Sequence, residues 1–251
     1  MKRMLFMLVA GLCMGCTSRD YAMPTQAGWR IFRYTEHAFG AHRALVLRAA
    51  QFDEYLRQPT EAERRRIHDL YFPRERIVEE ENGWLILSTD YTWAFEIRDG
   101  KLLADEGAEW NIRFSTAEGG LLAEAVIGTA DGALTANTLM RLDRFTCTAE
   151  SGVRVSEDAS GALSAEFFRG EGALRATETP ALDIDYAISE PVVQGWNARA
   201  PDSGAIDIAA HNQAEGPTGA DEAVTGRYLG EEMIEITYCG QKDRWSLMLD
   251  L

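Results

Sequence analysis

The chain is poor in the residues that carry most enzyme and metal chemistry: in 251 positions it has four histidines and four cysteines, and lysine stands only at Lys2, Lys101 and Lys242. His37 and His42 are five positions apart, about 140° around a helix, so they share no face on which to hold a metal. There is no His-Glu-x-x-His, no Cys-x-x-Cys, no calcium loop and no Gly-x-Ser-x-Gly elbow. Signature-bearing hydrolases and metalloenzymes are therefore excluded, and no cofactor is implied. Basic charge is also scarce, with 25 Lys and Arg against 40 Asp and Glu and a net charge of −15. A nucleic acid would be repelled over most of such a surface, and anionic headgroups gain nothing from it. No apolar run reaches the roughly 20 residues of a membrane-spanning helix.

What is present begins at the N-terminus. Lys2 and Arg3 precede an apolar run from Met4 to Met14, which is followed by Gly15 and Cys16. This resembles the signal of a bacterial lipoprotein, over residues 1–20. One position departs from that pattern, Cys13, where leucine is commoner. The resemblance implies a signal peptide over 1–15, removed before Cys16. Acylation of Cys16 would then hold the protein on a membrane by its fatty chains, with the outer membrane favoured.

Export places the two remaining cysteines, Cys147 and Cys239, in an oxidising compartment. A bridge between them would close a loop of about 90 residues and contribute on the order of 4 kcal/mol by chain entropy. No strand register can be read from the sequence, so proximity stays open, and the even count favours the bridge.

Residues 16–28 are polar with a proline, the composition of a tether. Leu45, Ala49, Phe52 and Leu56 recur at helical spacing, and Thr60 with Glu63 forms a capping box that starts a second helix ending before Pro73. A helical hairpin is thus expected over 29–73, with Arg64, Arg65 and Arg66 as a solvated flank. From residue 74 to 251 the pattern alternates, with turn signals at Asn82-Gly83, Asp99-Gly100, Asp131-Gly132 and, more loosely, Glu118-Gly119-Gly120. Strand-like runs follow one another, among them Trp110, Ile112, Phe114 and Leu182, Ile184, Tyr186. The fold class is therefore mainly β, an antiparallel meander forming a sandwich or open barrel with an N-terminal helical hairpin. Between Gly195 and Gly226 only Ile206–Ile208 suggests a strand, and a long loop or crossover is expected there.

Three side chains stand out as ligand contacts. Asp183 and Asp185 point to one polar strand face, a spacing that can raise a pKa or attract a cation. Trp196, in Gln194-Gly195-Trp196-Asn197, and Trp29 fall outside the strand periodicity that makes the other tryptophans core, and Trp196 is the candidate contact. These features favour a lipid-anchored envelope protein that binds a ligand or partner protein without catalysis. A glycan-binding module or glycan-directed hydrolase, and a structural subunit of a surface adhesin, are the alternatives.

Overall fold

The structure is a computed structural model that describes residues 25–142, 145–157, 159, 163–176, 183–196, 198–211 and 222–247. The signal peptide, Cys16 and most of the tether lie outside the described residues. Among the described residues two helices come first, α1 (Gln26–Arg57) and α2 (Glu61–Tyr71). Thirteen strands follow: β1 (Arg76–Glu80), β2 (Gly83–Leu87), β3 (Tyr91–Ile97), β4 (Glu109–Thr116), β5 (Leu121–Ala130), β6 (Ala133–Leu142), β7 (Phe145–Glu157), β8 (Leu163–Ala176), β9 (Asp183–Gly195), β10 (Ser203–His211), β11 (Glu222–Gly230), β12 (Met233–Tyr238) and β13 (Gln241–Ser246).

Each strand pairs antiparallel with its neighbours in sequence, and β1 and β13 form the two edges. The expected meander is present, as one unclosed sheet rather than the two layers of a sandwich. The layer that buries its inner face is α1. Its 32 residues make an axle about 48 Å long, which buries one broad face against the sheet and leaves Ala27, Arg30, Tyr34, His37 and Ala44 as an exposed stripe. At its start Trp29 stacks on Trp245, with ring centroids 5.1 Å apart. Midway, Phe39 meets Phe167 and Tyr186. Near its end Phe52 packs among Phe72, Phe95 and Trp110. The helix therefore crosses the sheet from β13 to β3. It begins at Gln26, inside the stretch read as tether.

Local chemistry explains the ends. The capping box of α2 forms as expected, with the Glu63 amide donating to Thr60 Oγ1. Arg64 Nε donates to the Gln58 carbonyl and so ties α2 to the end of α1, while Arg65 and Arg66 are exposed. Asp131 and Gly132, at φ 52° and 69°, make the expected two-residue turn between Ala130 and Ala133. The first turn is shifted by one residue. Glu80 pairs with Gly83, so Glu81 and Asn82 are the turn residues and Gly83 opens β2 at φ 154°. A Cβ there would sit 1.9 Å from the Phe95 carbonyl oxygen, so close strand approach requires this glycine. Asp99 and Gly100 do adopt positive φ, but the connection they begin runs to residue 108, longer than a hairpin turn.

The stretch from Gly195 to Gly226 is not one long loop. It contains β10 and the start of β11, which pair from Gly204 with Tyr228 to Ala210 with Glu222. Two tight turns went unread, Glu231-Glu232 and Cys239-Gly240, all four residues having positive φ. The expected Cys147–Cys239 bridge is absent. Cys147 is buried on β7 and Cys239 is exposed at the β12–β13 turn, five strands further along the sheet, and both are free thiols.

Candidate functional site

The polar groups of the inner face are mostly used up internally. His42, fully buried on α1, has Nδ1 3.0 Å from Thr138 Oγ1 and Nε2 2.8 Å from Ser151 Oγ. Burial first, and the neighbouring Arg43 charge second, push its pKa down to about 3, so the imidazole is neutral in the fold. Burial also works against the charge on Arg43, but Glu36 and Tyr228 outweigh it and hold the guanidinium charged. Arg43 Nε donates to Gln194 Oε1 at 2.9 Å, and its terminal nitrogens donate to Glu36, one of them at 2.6 Å. Tyr228 Oη donates to the same carboxylate. This network joins the helix to β6, β7, β9 and β11.

The sheet's outer face is different. A groove of about 920 Å³ crosses it from β3 to β9, perpendicular to the strands. Strand register explains its lining. One row of directly paired outward residues runs Glu96, Asn111, Val126, Asn137, Glu150, Glu171. Two positions along each strand, a second row runs Arg113, Glu124, Leu139, Thr148, Ala173, Asp185. A further hollow of about 540 Å³ continues past Asn137, Glu150 and Glu171 to Arg169 and Ile188.

Two properties separate this groove from an ordinary solvated sheet. Val126 and Leu139, 41% and 38% exposed, lie in its middle although both are aliphatic. Among the described residues, Glu96, Glu124, Glu150 and Glu171 make no ion pair, against Arg113 and Arg169 as the lining cations. Glu150 and Glu171 are directly opposite each other on β7 and β8. Like charges at that spacing, with Cβ atoms roughly 5 Å apart, oppose sheet formation.

The sequence-predicted residues divide. Asp185 lines the groove end, and Asp183 stands beside it on β9. Both are 2.6 Å from Arg175, and Asp185 is also 3.1 Å from His211 Nε2. The Arg175 hydrogen bond first, with help from His211, holds the Asp185 carboxyl below its ordinary range. A raised pKa is therefore corrected to a lowered one, and no group of three or more potential metal ligands occurs among the described residues. Trp196 is corrected too. It is 6% exposed and packs in the core, with its amide donating to the Leu163 carbonyl and its carbonyl accepting from Gln51. None of the six tryptophans is an exposed stacking platform. The groove glutamates carried no sequence motif, and their one shared signal is their outward position in an alternating strand.

No known protein family, curated protein or solved structure matches this chain.

Proposed function

We propose that this is a lipid-anchored binding protein of the bacterial envelope, held on the outer membrane through acyl chains on Cys16 and using the outer groove without catalysis. The observation that carries the reading is the contrast between the two sheet faces. Inside, histidine, arginine and their partners are locked in structural hydrogen bonds. Outside, unpaired carboxylates and exposed aliphatics share one long groove, the composition of a surface that recognises rather than reacts. Among the described residues no helix is long and apolar enough to cross a membrane, and in this reading the acyl chains supply the attachment.

Two experiments test it. Clickable palmitate should label the wild-type chain in cells and leave Cys16→Ser unlabelled; equal labelling would remove the anchor. A photocrosslinking amino acid at Leu139 should trap a discrete adduct in intact cells, whereas the same probe at exposed Arg65 on α2 should not. Identical adduct patterns at both positions would sink the groove as the binding surface.

A further inference from the structure

We infer that the groove's occupant is an extended, basic segment of a partner protein with an aliphatic residue at its centre. This rests on the reading of the groove as a binding surface and adds the chemistry of what fills it. The groove spans six interstrand intervals of ~4.8 Å, about 29 Å, which matches roughly nine residues of extended chain at ~3.3 Å each. Its floor runs over the strand positions between the two outward rows, Ile112, Ala125, Thr138, Ala149 and Gly172, with the outward side chains on either side, a channel that a single strand-like segment fits.

Charge fixes the sign of the partner. Glu150 and Glu171 face each other across β7 and β8 with no cation bonded to either, an arrangement that costs stability in the free protein and becomes favourable once a guanidinium or ammonium lies between them. Glu96 repeats the demand toward β3, while Glu124 on β5 has Arg113 directly across from it. Between the two acidic zones Val126 and Leu139 call for an apolar contact, which a small polycation lacks and a peptide side chain supplies. Polyanions and anionic lipid are repelled by the same surface.

The probe is the peptide Arg-Ser-Arg-Ser-Leu-Ser-Arg-Ser-Arg, titrated against the full chain in detergent micelles by calorimetry, with spermine and the Glu-for-Arg peptide as comparisons. The basic peptide should bind, and its affinity should fall roughly tenfold between about 50 and about 300 mM sodium chloride. The inverted peptide should show no binding. The Glu150→Gln, Glu171→Gln double variant should lose at least about tenfold in affinity, while its thermal midpoint equals or exceeds that of the wild type because the opposed charges are gone. Val126→Ser with Leu139→Ser should weaken the peptide roughly fivefold and leave spermine unaffected.

Spermine binding as tightly as the peptide, with no effect of the serine variants, would replace the protein segment by a small polycation and leave the groove reading standing. Peptide binding unchanged in the glutamine variant would overturn the assignment of the charges. No binding by any cation, together with loss of the Leu139 crosslink in cells, would overturn the groove itself.

Discussion

Replacing His42 with glutamine tests whether a buried neutral imidazole governs the acid stability of this fold. Glutamine keeps a donor and an acceptor for Thr138 and Ser151 but does not titrate. The imidazole moves from an ordinary value of 6.5 to about 3 in the fold. Between those values the unfolded chain binds a proton that the folded chain does not, so stability is fully present above pH 6.5 and is lost as pH falls toward 3. At about pH 5 the loss is RT ln(1 + 10^1.5), about 2 kcal/mol, and over the whole window it approaches about 5 kcal/mol. Urea unfolding followed by far-ultraviolet circular dichroism at pH 7.5 and about pH 5 measures it. Carboxylates elsewhere titrate in both proteins and cancel in the comparison. His42→Gln should therefore lose about 2 kcal/mol less than the wild type on acidification. Equal losses would show that His42 is protonated in the fold or that its burial carries no penalty, and the reasoning would fail.

Other perturbations follow from the same packing. Arg43→Met leaves Glu36 and Tyr228 without their cation in a buried setting and should cost roughly 3 to 5 kcal/mol, read by the same urea titration. Gly226→Ala would place a Cβ 2.3 Å from the Phe32 ring, and a loss of about 1 to 3 kcal/mol is expected from overpacking. In a chain carrying Cys13→Ser and Cys16→Ser, maleimide should label one thiol in the folded protein, exposed Cys239, and two after denaturation, because Cys147 is buried and its pKa is pushed up to about 12 by that burial. Two labels at native conditions, or none, would contradict the placement of these cysteines.

The strand meander was legible from its alternating apolar runs, and its turns only in part. Asp131-Gly132 announced itself; Glu231-Glu232 did not, because both glutamates pay the left-handed penalty that glycine or asparagine would avoid. The first turns of α1 were hidden for a different reason. Their buried face is made of Gly28, Trp29, Ile31, Phe32 and Thr35, a mix of small, polar and aromatic residues that gives a weaker apolar stripe than Leu45, Ala49, Phe52 and Leu56. β10 was visible only at Ile206–Ile208, because the flanking Ala205, Ala209 and Ala210 carry little strand preference until they are packed. The groove could not be read at all from the chain, since register across seven strands brings Glu96 and Asp185 to one surface. Asp183 and Asp185 were correctly assigned to one face, and the missing information was Arg175, the partner on the neighbouring strand.

The placement of α1 also has a consequence for how the chain reaches its native state. Every strand pairs with the one before it in sequence, so the sheet assembles from local contacts and can zip from any hairpin outward. The helix obeys the opposite rule. It is the first described element to emerge, yet Thr25 donates to Asp243, 218 positions away, at 2.5 Å. The core is thus finished by the last hairpin, β12–β13, closing over the first helical turn. A chain still emerging holds a long helix whose apolar face has nothing to cover its leading end, and folding completes when the final strands arrive.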